Sequence, residues 1–206
     1  MRIRMMKTSR CLTVALLCVF TLFAARAPAA PPAIKPYRIT KDYTTLSFIA
    51  TKWKVFKEEG TFQDFSGSVS YNPASPEASA IEIIVQAASL DTRNTNRDKV
   101  LRSDDFFDVE KYPTLSFRSV NVKATGVDSL DVTGDLNIHN VTKRITVPVK
   151  VIGVRVLVGT VEFAGFETTF NIDRRDFSIL GTRWSGNTLA IDPTVLIHLI
   201  VGGVRG

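Results

Sequence analysis

Residues that commonly build catalytic and metal sites are scarce in this 206-residue sequence. Its two Cys and three Met all lie within the first 18 residues, and it has only two His, His139 and His198. A Ser-His-Asp or Cys-His site needs a placed base, and zinc spacings such as HxH, HExxH and CxxC are absent. The sequence therefore predicts neither an enzyme nor a resident metal or cofactor.

Net charge is also low once the first 29 residues are set aside. Residues 1–10 carry four basic side chains and no acid, Cys11–Ala25 is apolar, and Ala27-Pro28-Ala29 fits a signal peptidase site. This order predicts a secretory signal peptide over residues 1–29, because the apolar run is short for a membrane span. Its removal lowers the formal charge from +6 to +1. We therefore expect a periplasmic or secreted protein without a nucleic-acid partner or stable membrane insertion.

A proline-rich arm at residues 30–36 leads into residues 37–206, which show no internal repeat or second linker. Short runs rich in Val, Ile, Phe, Tyr and Thr alternate there with Gly, Pro, Asn and Asp, as is typical of antiparallel strands. Apolar and polar residues alternate within several runs, which indicates one buried face per strand. We predict strands at Thr45–Thr51, Gly67–Tyr71, Ala80–Ala87, Thr114–Val122, Leu130–Ile138, Arg144–Ile152, Val161–Ile172 and Thr188–Val201.

Residues 96–109 depart from this strand pattern. They contain helix formers and mixed charges, and they predict a short helical segment across one end of a sheet. Eight or so antiparallel strands in one domain predict an all-β protein, either a closed barrel or a sandwich, because closure removes exposed strand edges.

Four acids lie close together, at Asp104, Asp105, Asp108 and Glu110. Carboxylates this close could bind calcium or act as an acid–base pair. Basic side chains flank them and the spacing is not that of an EF-hand loop, so a solvated, mutually paired segment is the favoured interpretation. Residues 173–176 (DRRD) are interpreted in the same way.

Phenylalanine is the residue type that stands out. Of the thirteen Phe, eleven follow residue 29. They could fill a solid core or line a cavity for an apolar ligand, and an eight-stranded barrel has the size at which either occurs. Composition alone leaves these two interpretations open.

Several motifs occur in order along the chain. The most specific stretch is Ser89–Ser119 (SLDTRNTNRDKVLRSDDFFDVEKYPTLSFRS). Gly60–Gly67 precedes it with the pattern G-x-F…F-x-G, and Gly134–Lys143, ending in V-T-K, and Ile172–Phe177 follow it. This series resembles the YceI-like family, exported bacterial proteins with a lipocalin-like barrel that bind polyisoprenoid lipids. The resemblance covers nearly all of residues 37–201.

The chain departs from the family pattern at three places. Asp42–Phe48 lacks the His-Ser pair that relatives carry early in the first long strand. Lys52–Glu59 (KWKVFKEE) differs from the usual form, and Ile179–Leu180 replaces the expected Gly region. If relatives use that His at the polar end of the ligand, this chain has changed or lost the contact.

The resemblance implies an antiparallel closed β-barrel, lipocalin-like, that binds a polyisoprenoid or a similar long apolar molecule such as an isoprenoid quinone. A homodimer is an open alternative to a monomer. From the alternating strand faces and the helical segment we predict ligand contacts at Leu46, Phe48, Phe62, Phe65, Val69, Ile83, Val85, Phe106, Phe107, Leu115, Phe117, Leu136, Ile138, Phe170 and Ile172. Phe106 and Phe107 are expected to close one end.

Two other functions stay open. The first is a stress-related structural or interaction protein with a solidly packed barrel and no ligand. The second is an enzyme that acts on a lipid headgroup through the acids of residues 104–110, and the absence of a placed base disfavours it.

Overall fold

The computed structural model describes residues 35–182 and 190–206. The predicted signal peptide lies outside these residues, as do residues 30–34 of the arm and residues 188–189 of the last predicted strand.

The described residues form eleven strands and one short helix, α1, at Thr95–Arg102. The strands are β1 (Tyr37–Ile39), β2 (Thr45–Lys52), β3 (Phe56–Phe62), β4 (Phe65–Ser70), β5 (Ala80–Gln86), β6 (Leu90–Asp91), β7 (Thr114–Gly126), β8 (Ser129–Ile138), β9 (Val141–Val158), β10 (Val161–Asp173) and β11 (Ile191–Arg205). Three strands, β1, β3 and β6, were not predicted. β1 and β6 have only three and two residues, and Lys57, Glu58 and Glu59 hide the apolar alternation of β3.

Strand pairing closes these elements into one antiparallel barrel. β1 pairs with β4 on one side and with β11 on the other, which closes the sheet on itself. A 3-10 turn at Lys41–Tyr43 separates β1 from β2, and β2 pairs with β3 as β1 does with β4. Counting β1 with β2, β3 with β4 and β5 with β6 as interrupted strands, eight positions surround the interior. The predicted closed barrel of about eight strands is confirmed.

The turn between β8 and β9 shows how the sequence fixes register. It contains only His139 and Asn140, whose φ angles are 53° and 58°. Two-residue turns with positive φ match the right-handed twist of the flanking strands, and Asn tolerates this conformation well. β8 and β9 therefore form a tight hairpin, with Ile138 paired to Val141.

A helix lies where the segment at residues 96–109 was predicted to be helical, but it is shorter than that segment. Helix α1 begins after Asn94, whose side chain caps it by accepting a hydrogen bond from the backbone N–H of Arg97 at 3.1 Å. It ends at Arg102, and the backbone of the following Ser103 is extended. No helix among the described residues is long and apolar enough to cross a membrane.

The apolar side chains form two clusters. The larger one fills the barrel between the strands and includes Leu46, Val69, Val132, Phe166 and Val201. The second, which we call the end cluster, is built around Phe106, Ile138, Phe177 and Ile179. Val100 and Leu101 of α1 pack against the end cluster. The helix is thereby fixed at one end of the barrel.

Candidate ligand-binding cavity

The barrel contains a cavity of about 150 Å³ with an almost wholly apolar surface that is partly open to solvent. Side chains from strands all around the barrel contribute to it, because each strand turns alternate residues inward. The lining consists of Leu46, Ser47, Phe48, Phe62, Val69, Ile81, Ile83, Val85, Leu115, Ser116, Phe117, Val132, Leu136, Ile138, Val147, Val149, Phe166, Glu167, Thr168, Phe170, Ile172, Ile197, Leu199 and Val201.

Most of the residues predicted to contact a ligand lie around this cavity. Those in the lining are Leu46, Phe48, Phe62, Val69, Ile83, Val85, Leu115, Phe117, Leu136, Ile138, Phe170 and Ile172. Phe65 is instead buried in the larger cluster, and Phe106 is 3% exposed in the end cluster, with Phe107 packed against it. These three phenylalanines do not line the cavity, because they pack within the two clusters. That the lining residues bind a ligand stays a prediction.

The prediction left out several lining residues, among them Val147, Val149, Ile197 and Leu199. Alternation could have found the two valines, which share one face of β9. β11 offers no such signal, because residues 195–201 are apolar on both faces except at His198.

Two glycines allow aromatic rings to lie close against the wall. A β-carbon added at Gly60 would lie 2.3 Å from Cζ of Phe48, and one added at Gly134 would lie 2.4 Å from Cζ of Phe117. Each ring therefore occupies the space of a side chain that the neighbouring strand lacks. The rings of Phe48 and Phe62 are 5.8 Å apart between centroids. These contacts explain why glycine stands at both positions.

Three polar side chains of the lining have partners on the wall. The hydroxyl of Ser47 donates to the carbonyl oxygen of His198 at 2.9 Å. The hydroxyl of Thr168 donates to the carbonyl oxygen of Pro148 at 2.6 Å. One carboxylate oxygen of Glu167 lies 3.1 Å from Nε2 of His198. No group of three or more His, Cys, Asp or Glu that could hold a metal occurs among the described residues.

The size of the cavity limits what it holds without rearrangement. A void of about 150 Å³ lined by apolar side chains accommodates a benzene-sized molecule, whereas pockets for larger ligands measure about 300–1,000 Å³. A long chain therefore requires lining side chains to move. Phe48, Phe62, Phe117 and Phe170 are only half-buried, unlike the fully buried Phe166. The half-buried rings are the parts of the wall with most room to turn.

The end cluster forms one boundary of the cavity. Leu115, Leu136, Ile138 and Ile172 belong both to this cluster and to the cavity lining. The ring of Phe107 also contacts that of Phe62 edge-on, with centroids 6.0 Å apart. The end cluster is therefore continuous with the aromatic wall of the cavity.

A buried arginine holds the end cluster in place. Arg174 is 4% exposed, and burial lowers the pKa of its guanidinium. It donates to the carbonyl oxygens of Ile179 (2.6 Å), Leu180 (2.8 Å), Ile191 (2.7 Å) and Asp192 (3.1 Å). The interpretation of residues 173–176 as wholly solvated is thus wrong for Arg174. It holds for Arg175, which is exposed and pairs with Asp173 at 2.5 Å.

The specific stretch around α1 is also a hydrogen-bonded structure. Asp98 is 6% exposed and accepts hydrogen bonds from the backbone N–H and the hydroxyl of Thr92, at 2.9 and 2.5 Å. Arg97 donates to the hydroxyl and carbonyl oxygens of Thr92, at 2.8 and 2.7 Å. Arg102 donates to the carbonyl oxygens of Ala88, at 2.9 Å, and Leu90. These side chains join α1 to the segment around β6.

Comparisons with known proteins agree with this architecture. The model of the YceI-like domain matches residues 37–201. A UPF0312 protein of Pseudomonas putida strain F1 is 43% identical over 136 residues, which cover 66% of this chain and 71% of that protein.

Two solved structures share the fold. The YCEI protein of Campylobacter jejuni has a TM-score of 0.65 and 30% identity, covering 71% of this chain and 84% of that one. A domain from Saccharophagus degradans, described as polyisoprenoid binding, has a TM-score of 0.61 and 21% identity, covering 82% and 98%. At 21% identity, the similarity to the S. degradans domain shows a shared fold alone. Because the family model covers most of the sequence, the chain belongs to the YceI-like domain family.

Proposed function

We propose that this protein binds a long apolar molecule, a polyisoprenoid or an isoprenoid quinone, inside its barrel. The observation that carries the proposal is an almost wholly apolar cavity within a closed barrel, bordered by half-buried phenylalanines. The polyisoprenoid-binding description of the S. degradans domain supports the choice of ligand class. Such a ligand is nearly all hydrocarbon and needs a dry channel more than it needs a catalytic group.

The energetics allow useful affinity without an ion pair. Burial of a few hundred Å² of hydrocarbon contributes on the order of 10 kcal/mol at about 25 cal/mol per Å². Ordering a flexible chain offsets part of this gain. Micromolar binding requires only about 8 kcal/mol. Apolar contact in the barrel is therefore sufficient.

The predicted leader supports a role outside the cytoplasm, in the periplasm or as a secreted protein. There the protein would sequester or carry its ligand between membranes or binding partners. Arg97 and Arg102, which precede the acids of residues 104–110, donate to backbone oxygens, and this favours a structural role for the segment over a catalytic one. The homodimer stays a prediction.

The modest volume of the cavity, about 150 Å³, favours one alternative, a packed barrel without a ligand. Native mass spectrometry of the protein purified gently from its own host separates the two functions. We expect an isoprenoid-sized species bound in stoichiometric amount and recovered by organic extraction. An apo mass that stays unchanged after incubation with polyprenyl lipids and quinones would instead establish the packed barrel.

Phe117 offers a direct test of the cavity as the binding site. Its half-buried ring lines the cavity, so Phe117→Ala should weaken ligand affinity about tenfold while circular dichroism stays native. The matched control is Phe163→Ala, which removes the same ring from a position outside the lining. Equal affinities for the folded variants would remove Phe117 from the site.

A further inference from the structure

The turn between β2 and β3 exposes large apolar side chains. Trp53, Val55 and Phe56 are 57%, 72% and 55% exposed. The rings of Trp53 and Phe56 meet edge-on, with centroids 6.3 Å apart, so they form one patch. We call Lys52–Lys57 the hairpin tip.

The hairpin tip has a defined backbone. The N–H of Val55 donates to the carbonyl oxygen of Lys52 at 3.1 Å, which closes the turn, and the N–H of Trp53 donates to that of Ala190 at 2.9 Å. The two central residues, Trp53 and Lys54, have φ angles of 50° and 64°. Gly and Asn adopt such angles easily, whereas a bulky residue pays a conformational cost. A strained tryptophan that is also exposed indicates a function for its side chain.

Basic residues alternate with these apolar ones in the hairpin tip. Lys54 lies between Trp53 and the pair Val55 and Phe56. Lys52 and Lys57 flank these apolar residues on either side. The ammonium of Lys52 lies 4.1 Å from the centroid of the Trp53 ring. The patch therefore combines aromatic surface with positive charge.

Three nearby acids are paired, two of them with arginines outside the hairpin tip and one with Lys54 of the tip. Glu58 pairs with Arg97, and Glu59 lies 3.5 Å from Arg93. Lys54 pairs with Asp192 at 3.1 Å, although its side chain is 78% exposed. The arginines near α1 thus balance the two glutamates of β3, and the hairpin tip keeps a positive character.

The hairpin tip is also continuous with the cavity wall. Phe48 on β2 and Phe62 on β3 line the cavity, and both strands run on into the tip. Trp53 follows Phe48 by five residues, which is about 17 Å along a strand. A surface that binds the tip is therefore brought within a short distance of the cavity lining.

We propose that the hairpin tip docks the protein on an anionic lipid bilayer. Trp and Phe insert at the boundary between headgroups and acyl chains, and Lys side chains are attracted to anionic headgroups. Charge favours this partner over a second copy of the chain, because two hairpin tips in contact would bring like charges together. The proposal goes beyond ligand binding in the cavity, and its test uses no ligand.

The test compares the purified protein with a Trp53→Asn/Phe56→Thr variant. Asn suits the positive φ and Thr suits a strand, so the variant should fold. Each is mixed with vesicles of 30% phosphatidylglycerol in phosphatidylcholine and sedimented. We expect the wild-type protein to bind, and the variant to lose at least tenfold in partition coefficient. In a Trp184→Phe background, which leaves Trp53 as the sole tryptophan, its emission should shift to shorter wavelength on binding.

Two controls make the result specific. Val156→Thr/Leu157→Thr removes comparably exposed apolar side chains, 60% and 66% exposed, from the tip of the β9–β10 hairpin and should bind like the wild type. Lys52→Gln/Lys57→Gln should bind several-fold less at low salt. Equal binding to pure phosphatidylcholine, or equal loss in the β9–β10 variant, would overturn the proposal. So would a wild-type dimer in sedimentation velocity that the Trp53→Asn/Phe56→Thr variant converts to a monomer.

Discussion

The middle of the barrel is stabilised differently from the end that carries the end cluster and α1, which we call the closed end. In the middle, apolar side chains meet in the cavity with little directional bonding. At the closed end, the buried side chain of Asp98 accepts two hydrogen bonds from Thr92, and that of Arg174 donates to four backbone carbonyl oxygens. Apolar residues can replace one another at modest cost, whereas a buried polar partner cannot be removed cheaply. The motif segments contribute to both regions: they supply Asp98 and Arg174 to the hydrogen-bonded end, and Phe62, Phe117 and Leu136 to the cavity lining.

The largest effect should come from the closed end. Arg174→Met keeps most of the side-chain volume but leaves buried carbonyl oxygens without a donor. We expect it to lower the free energy of unfolding by about 3–5 kcal/mol, measured by denaturant titration. Arg175→Met is the matched control, because the neighbouring arginine is exposed and its ion pair contributes about 1 kcal/mol or less.

This prediction would also separate stability from binding. Ligand affinity of the folded Arg174→Met variant should change less than threefold, because Arg174 does not line the cavity. A loss of stability below about 1 kcal/mol would show that the end cluster does not depend on this arginine.

In the middle of the barrel, a substitution should affect ligand affinity more than it affects stability. In Gly60→Ala the new methyl group would collide with the ring of Phe48 and push it into the cavity, because its other nearest neighbour is the methyl group of Thr92. We expect a tenfold loss of ligand affinity, measured by titration, with a stability cost of about 1–3 kcal/mol. Adding Phe48→Leu should restore affinity by making room. Affinity that stays unchanged in the single variant would mean that ligand does not reach this part of the wall.

The smallest effect on stability should come from an ion pair between β10 and β11, at the end of this ladder that is opposite Arg174. Glu162 pairs with Arg205 at 2.6 Å, both side chains are about one-fifth exposed, and this hydrogen bond lowers the pKa of the Glu162 carboxyl. A lowered folded-state pKa contributes stability above the ordinary Glu pKa of about 4.3, and this is lost as the pH falls through the folded value.

We therefore expect the wild-type protein to lose about 1 kcal/mol or less between pH 5 and pH 3 through this pair, in thermal unfolding at each pH. Glu162→Gln should remove that share of the pH dependence and leave the rest. A Glu162→Gln variant with the same acid sensitivity as the wild type would show that other carboxylates account for it.

The sequence predicted the barrel better than the closed end. Alternation is a property of each strand alone, so β8 and its hairpin with β9 could be recognised from their own residues. β3 was missed because Lys57, Glu58 and Glu59 conceal its inward face. The burial of Arg174 was missed because its partners are backbone oxygens, which leave no trace in composition.

The choice between cavity and solid core could not be made from the sequence. The same inward-facing residues serve either case, and the difference depends on how closely rings approach the opposite wall. Phe48 lies over Gly60 and Phe117 lies over Gly134, so each ring lies where a neighbouring side chain is missing. These two placements determine how far each ring reaches into the barrel. Such a pairing joins residues on different strands, so it can be recognised only once the register of those strands is known.

The sharing of Leu115, Leu136, Ile138 and Ile172 between the cavity lining and the end cluster has a consequence for selectivity. A chain that enters the cavity meets a floor fixed by the hydrogen bonds of Arg174, and it cannot pass beyond it without breaking them. Affinity in a series of prenyl chains should rise with each added unit and then stop rising once the chain reaches this floor. The barrel would in this way act as a molecular ruler, with its floor held in place by Arg174, which does not line the cavity.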